Sequence, residues 1–282
     1  MTQTSQMPTS GGSALKMLNV GCGDSSHPAW TNLDLRGSGG AKSGDVTEGL
    51  PFPDASFDVV YHSHLLEHLP LEKVPLFMRE CYRVLKPGGV IRVLVPDLEQ
   101  VAKLYLEKLA TAPAAPDEYD WMMLEVYDQC VRQQSGGLME AVLRRFGTHP
   151  SPFVAQRMGS EGELYWGPER PQAKASLSLS ANLSRWVWRI RTACAAWAVF
   201  LLAGAKGKSA FETGLFRASG EVHQWMYDRF SLARLMTEAG LREVRVASPL
   251  ESRIPGFSCF GLDLVNGAVR KPDSLVMEGV KP

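Results

Sequence analysis

The chain has 282 residues, and its 30 basic and 30 acidic side chains give a formal net charge of zero at pH 7. That length supports one large α/β domain with an insertion, or a domain with a small companion. The neutral balance excludes the basic footprint of a nucleic-acid-binding protein, and five scattered cysteines (Cys22, Cys81, Cys130, Cys194 and Cys259) with no Cys-x-x-Cys pair exclude a disulfide framework and a cysteine zinc site.

Residues 1–13 are polar, with no basic or apolar segment of a secretory signal, and read as a disordered leader. Lys16–Val20 is a short apolar run ending at Gly21, as a buried strand entering a glycine turn would be. Thr31–Leu35 predicts a second strand that delivers Asp34, and Phe57–Tyr61 a third, β-branched and aromatic. Leu71–Leu85 has helical spacing and meets a stop at Lys86-Pro87-Gly88-Gly89; Val90–Val95 is again a strand, followed by a helix over 97–110. Strands alternating with helices predict a mainly parallel sheet with helices on both faces. Residues 14–110, after the leader, thus form one half of an α/β domain.

From Thr111 the pattern changes. A linker at Thr111–Asp117 leads into helices near Glu118–Gln134 and Leu138–Phe146, then a stretch rich in Gly, Pro and Ser over 147–182, then an apolar helix at Leu183–Ala203. The strand-and-helix pattern returns at Ser231–Ala239, a helix with Ser231 as N-cap, and in two final strands, Leu241–Ala247 and Phe260–Val265. Residues 111–220 are therefore read as a helical insertion, and 221–282 as the closing part of the sheet.

A strand ending in Gly-x-Gly lets backbone approach a ligand closely, and an acidic residue at the next strand tip accepts from ribose hydroxyls. Gly21, Gly23 and Asp34 stand in those places. Ser26 occupies the third glycine position of the dinucleotide fingerprint, which disfavours a pyrophosphate-bearing cofactor. Only residues 21–31 separate the first two strands, and Pro28 lies among them, so the first helix must shrink to a turn.

Taken in order, Leu18-Asn19-Val20-Gly21-Cys22-Gly23-Asp24, Asn32-Leu33-Asp34-Leu35, Gly44-Asp45-Val46, Pro51 to Val60, Leu65-Leu66-Glu67-His68-Leu69 and Arg83-Val84-Leu85-Lys86-Pro87-Gly88-Gly89 resemble the class I methyltransferases of the type 11 kind. The resemblance covers about residues 15–100, and again His223–Asp263; its nearest subgroup is associated with surface-polysaccharide biosynthesis. It implies a Rossmann-like sheet, mainly parallel with an antiparallel last strand, and S-adenosyl-L-methionine as cofactor. It implies Gly21, Cys22 and Gly23 beneath the methionine part, Asp34 on the ribose, Asp45 and Val46 at the adenine, and His62 and Ser63 on the sulfonium side. It places His223, Trp225 and Tyr227 over the cleft, where the aromatics would stack on a sugar or another flat acceptor.

His64, Glu67 and His68 would share one face of a helix; either Glu67 and His68 orient that helix beneath the cofactor by hydrogen bonds, or the three form the candidate catalytic group, with His64 or His68 as general base for O-methylation of a sugar, glycan or other small hydroxyl-bearing acceptor. The same string matches the His-x-x-Glu-His pattern of inverted zinc peptidases, a competing reading; a non-catalytic cofactor- or partner-binding module is another. Some methyltransferases resembling this one carry Glu-x-x-Glu-His here and bind a divalent cation. His64 replaces the first Glu, which counts against magnesium, and no metal is assigned. Thr192–Ala205, an uncharged run of fourteen residues with basic flanks, is too short to span a bilayer. It is expected to be a buried insertion helix; the alternative is peripheral membrane contact through 183–205, with Trp186, Trp188 and Trp197 at the headgroups. The expected location is cytoplasmic, with the inner face of the membrane as the site of any such contact.

Overall fold

A computed structural model describes residues 15–35, 37, 40–147, 149–166 and 179–282, the side chains of 179–185 excepted. The leader expected at 1–13 lies outside the described residues, as do residues 148 and 167–178 of the loop expected over 147–182.

The sheet has seven strands: β1 (Met17–Val20), β2 (Thr31–Asp34), β3 (Lys42–Ser43), β4 (Phe57–Ser63), β5 (Leu85–Pro96), β6 (Arg242–Ala247) and, last in the chain, Ser274–Val280. A two-stranded ribbon, β7 (Leu264–Val265) with β8 (Ala268–Val269), intervenes, so the last strand is β9. The spatial order is β3-β2-β1-β4-β5-β9-β6. The first five strands are mutually parallel, and β9 runs antiparallel between β5 and β6. The expected mainly parallel sheet with an antiparallel last strand is what forms.

One face is covered by two helices, α1 (Val74–Val84) and the late helix Arg229–Glu238. Leu18, Val20, Val60, Val93 and Met277 pack there with Phe77, Met78, Leu232 and Met236. The other face lacks the helices that were expected. Because the 21–31 connection is only turns, Trp30 and the segment Ile254–Leu262 fill the space over Met17, Val59, Tyr61 and Leu94. Trp30 meets Tyr61, Phe257 and Phe260 edge-on at 5.3–6.2 Å, a geometry that aromatic quadrupoles favour.

Three sequence expectations need correction here. Phe260–Val265 is not the last long strand: Phe257–Phe260 coils as a 3-10 turn whose rings roof the sheet, and Ser274–Val280 takes the strand position. Ser231 is not the N-cap of the late helix. Asp228 caps it, accepting from Phe230 N at 2.9 Å and Ser231 N at 2.8 Å, while the Ser231 hydroxyl accepts from Asp228 N at 3.0 Å in a reciprocal box. The strand expected at Val90–Val95 begins earlier, at Leu85: α1 ends at Val84, before Lys86–Gly89 as expected, but that stop itself belongs to the start of β5, where the pairing with β4 shifts register.

Between β5 and the late helix lies the insertion: α2 (Leu98–Thr111), α3 (Pro116–Val131), α4 (Gly137–Phe146), α5 (Pro152–Met158), α6 (Glu163–Trp166) and α7 (Leu179–Arg217), which makes the late helix α8. Helices α2 to α6 enclose a small core of Val101, Trp121, Met122, Leu143 and Val154. The region expected as mostly loop after 147 is thus partly helical. Helix α7 breaks at Gly204, whose φ of 65° and ψ of −165° leave the helical region. It is not the buried helix that was expected: over its most apolar window only 6% of residues are buried among those described.

Candidate active site

The glycine loop sits where β1 ends. Gly21 N donates to Leu33 O at 2.8 Å, so the turn is pinned to β2. Gly21 has φ of 66°, and a Cβ there would stand 2.9 Å from the Leu65 side chain; both facts demand glycine. What a first helix would do for this loop, two asparagines do. The Asn19 amide donates to Ser25 O (2.9 Å) and Asn32 Oδ1 (3.2 Å), and the Asn32 amide donates to His27 O and Trp30 O, both at 3.0 Å. Both side chains are buried.

Asp34 reaches the loop: its Oδ2 accepts from Gly23 N at 3.0 Å. Asp45 is exposed and caps its own turn, accepting from Thr47 N (2.9 Å) and Thr47 Oγ1 (2.7 Å), while Val46 is buried in the main core. Beside the glycine loop is a cavity of about 50 Å3 lined by Asn19, Gly21, Cys22 and Ser63, among others, and by Glu161, Arg270 and Lys271. Those last three are joined by ion pairs, Arg270–Glu161 at 3.0 Å and Lys271–Glu161 at 3.4 Å. His62 does not reach this cavity. Neighbours in a strand face opposite ways, and His62 points into the core, edge-on to Phe77 at 5.2 Å and fully buried. Of the expected pair at the end of β4, only Ser63 lines it.

A second cavity, about 220 Å3, lies between the sheet's carboxyl edge and the insertion, and shares Glu161 and Lys271 with the first. His64, His68 and His223 line it from below; Trp121, Glu125, Arg132, Arg157 and Tyr165 line it from the insertion. Its polar wall is organised. Arg157 pairs with Glu125 at 2.6 Å, Trp121 Nε1 donates to Glu125 at 2.6 Å, and Arg132 pairs with Asp128 at 3.0 Å. None of these insertion residues was legible as a site residue, because nothing local distinguishes a cavity arginine from a solvated one.

His64, Glu67 and His68 do not share a helical face. His64 has φ of 52°, and only Leu66–His68 coil, as a single 3-10 turn. Both ring nitrogens of His64 are engaged: Nε2 with Ser274 Oγ at 2.8 Å, Nδ1 with Glu67 Oε1 at 3.1 Å. The peptidase reading needs His64 and His68 side by side on one helix, and this geometry denies it. The residues brought together are Glu67, His68 and His223. Segment 222–225 is docked across the 3-10 turn: Gln224 N donates to Glu67 O at 2.6 Å, the Gln224 amide to His68 O at 3.1 Å, and His223 N to Gln129 O at 3.0 Å.

Glu67 is completely buried. Burial alone would raise its pKa, but the contact with His64 and the neighbouring imidazoles outweigh that and bring it down to about 2. Burial holds His68 below its ordinary value and His223 at about 3, so both imidazoles are neutral at pH 7. Tyr227 is buried in the core rather than in the cavity, its hydroxyl pushed up to about 12 by burial and by the charge of Glu67. Trp225 is 47% exposed and lines neither cavity.

Residues 24–93, about a quarter of the chain, match the family described as "Methyltransferase domain". The chain is 43% identical over 51 residues to the "Probable methyltransferase ltbC" of Aspergillus luteorubrus, covering 18% of either chain. It is 46% identical over 56 residues to a "Probable S-adenosylmethionine-dependent methyltransferase" of Mycolicibacterium smegmatis, covering 20% of this chain and 21% of that one. The matched stretch spans about a fifth of the length of these relatives. A solved S-adenosylmethionine-dependent methyltransferase of Archaeoglobus fulgidus aligns over 95% of this chain and 87% of its own at 11% identity, with a TM-score of 0.38. Residues 24–93 are thus similar to a methyltransferase domain and supply strands β2 to β5 of the seven-stranded sheet, and S-adenosylmethionine is the cofactor that this similarity implies. The residues present fit that cofactor: a glycine turn closed to any Cβ at Gly21 but with open space around Gly23, and a strand-tip carboxylate at the same loop.

Proposed function

We propose that the chain is an S-adenosylmethionine-dependent methyltransferase that methylates a hydroxyl oxygen of a polar acceptor, a sugar or glycan, in the cytoplasm at the inner face of the membrane. The observation that carries this reading is the juxtaposition of two cavities that share a wall. One is bounded by the glycine loop, the other by a histidine–carboxylate cluster and a polar insertion.

Gly21, Cys22 and Gly23 pass beneath the methionine part of the cofactor, Asp34 takes the ribose, and Asp45 and Val46 border the adenine. Methyl transfer from a sulfonium asks chiefly for alignment and for exclusion of water. The 220 Å3 cavity supplies a walled space of that kind, where His68 and His223 meet the acceptor oxygen with Glu67 buried behind them. Arg132, Arg157 and Lys271 offer donors to sugar hydroxyls or a neighbouring acidic group. A polar acceptor carried on a lipid would explain why the insertion that roofs this cavity also carries the exposed apolar helix α7.

Calorimetric titration with S-adenosylmethionine, paired with release of S-adenosylhomocysteine across a panel of free and lipid-linked sugars, tests the proposal. Wild type is expected to bind the cofactor and turn over at least one hydroxyl acceptor. Gly21→Val is expected to weaken cofactor binding at least about 100-fold, because the added side chain collides with Leu65 and the required positive φ is closed to it. Cofactor binding without turnover on any acceptor would instead favour a non-catalytic binding module.

A further inference from the structure

We infer that Glu67, His68 and His223 form a binding site for a divalent transition-metal ion of the zinc class, with its open coordination position facing the acceptor cavity. The sequence assigns no metal, because His64 stands in place of a glutamate and counts against magnesium. The structure removes His64 from the set, since both its ring nitrogens have partners, and brings His223 in from 155 positions along the chain.

Three independent features point to a ligand here. The potential donor atoms of Glu67, His68 and His223 lie within 4.8 Å of one another. Ligands about 2.0–2.1 Å from a tetrahedral ion stand roughly 3.4 Å apart, so small side-chain rotations close the set. Next, two of the potential ligand atoms stand alone. Glu67 Oε2 and His68 Nδ1 are buried with no hydrogen-bond partner among the described residues, and Glu67 Oε1 has only the His64 imidazole at 3.1 Å. A fully buried carboxylate left this way is costly, and a bound cation removes the cost. Last, the site is preorganised. The hydrogen bonds from Gln224 to the backbone of Glu67 and His68 fix His223 against them.

Two imidazoles and one carboxylate select zinc, iron(II) or cobalt(II) over magnesium and calcium, which prefer all-oxygen shells. Three protein ligands leave a fourth position open, and His68 and His223 both line the 220 Å3 cavity, so that position faces the acceptor. This rests on the methyl-transfer reading for the identity of the fourth ligand, the acceptor hydroxyl, whose proton a zinc-class ion would loosen. The metal site itself does not rest on it.

The test is metal uptake by tag-free protein stripped with chelator, measured by competition with a chromophoric chelator for Zn2+ and by the visible d–d bands of Co2+. Calorimetric binding of S-adenosylmethionine is followed in the same samples. Wild type is expected to take up one ion per chain, and Glu67→Gln, His68→Gln and His223→Gln each to weaken uptake at least about 100-fold while cofactor binding persists. Absence of zinc uptake and of cobalt bands in wild type that still binds S-adenosylmethionine overturns the site whether or not the variants fold. Undiminished uptake in a His68→Gln/His223→Gln variant overturns it equally. Failure of the methyl-transfer reading alone would show as metal uptake without turnover.

Discussion

His62 shows most plainly what burial does to one titratable side chain. It sits in the middle of the sheet with no exposure, and neither ring nitrogen has a partner among the described residues. Burial holds its pKa at about 4, against 6.5 for an ordinary imidazole, with the Glu67 charge opposing only in part. The folded state therefore carries His62 neutral while the unfolded chain binds a proton below pH 6.5. The stability that comes from keeping it neutral is complete above that pH and is lost as pH falls toward 4, a loss of about 3 kcal/mol at one unit per 1.4 kcal/mol. His223, held at about 3, adds to the same trend. In urea unfolding at stepped pH, His62→Leu is expected to lie within about 1.5 kcal/mol of wild type at pH 7. It should then overtake wild type between pH 6.5 and 4. Parallel stability curves across that window would refute the account. The sequence places His62 at a strand's carboxyl end and so suggests a cofactor contact; the alternation of the strand turns it the other way, and only Ser63 faces out. Cluster membership was equally illegible for His223. Its role depends on backbone hydrogen bonds to residues some 155 positions earlier, which no local pattern encodes.

At the scale of elements, the sheet was readable where strands are apolar and misread where they hide charge. Val90–Val95 announces a buried strand despite Arg92, and the structure explains the exception. Arg92 is fully buried, bonded to Asp263 through Nε (2.9 Å) and NH2 (2.6 Å) and to Glu278 at 2.8 Å, with its guanidinium 4.7 Å from the centre of the Phe257 ring. Glu278 lies directly across from Arg92 on β9. That buried glutamate, followed by Gly279, is why Ser274–Val280 does not look like a strand: its charge is matched by Arg92, 186 residues away, and by donors from Ser252 and the Arg253 backbone. Phe260–Val265, apolar and aromatic, looks more strand-like. The short first connection was legible for the opposite reason, since eleven residues containing a proline leave no room for a helix whatever the tertiary context. Replacing Arg92 with Met should strand two buried carboxylates and cost about 3–5 kcal/mol in chemical denaturation. Adding Asp263→Asn and Glu278→Gln should recover much of that loss. A cost below about 1 kcal/mol for Arg92→Met would mean that these carboxylates are not held by this ion cluster.

For the whole molecule, the insertion divides into a part that builds the cavity and a part that faces outward. Helices α2 to α6 have a core of their own and wall the acceptor space. Helix α7 has neither task. Trp186, Trp188 and Trp197 are each more than 60% exposed, and Leu202 is 89% exposed. Contiguous apolar surface on that scale marks an interaction site, and a helix apolar on every side is matched to lipid or to a protein interior rather than to water. By length and composition Trp186–Arg217 could cross a membrane. Its uncharged stretch, Thr192–Ala205, is about 21 Å long at 1.5 Å per residue, against a hydrocarbon core of about 30 Å, and the helix breaks at Gly204. Arg189 and Arg191 before the stretch and Lys206 and Lys208 after it suit anionic headgroups. An in-plane helix at the bilayer surface satisfies all of these features, and Arg217, which donates to Cys130 O at 3.5 Å, joins its end to α3 on the cavity wall. Wild-type protein is expected to sediment with vesicles containing anionic lipid, and more weakly in high salt. Replacing Trp197, Phe200, Leu201 and Leu202 with Ser removes several large apolar groups at about 1.5–3 kcal/mol each, so partition should fall at least about 100-fold. Cofactor binding should stay intact, since these side chains lie outside both cavities. If wild type remains in the supernatant with neutral and anionic vesicles alike, or if ultracentrifugation shows a dimer that the same four replacements dissolve, the helix serves a second copy of the chain instead of a membrane.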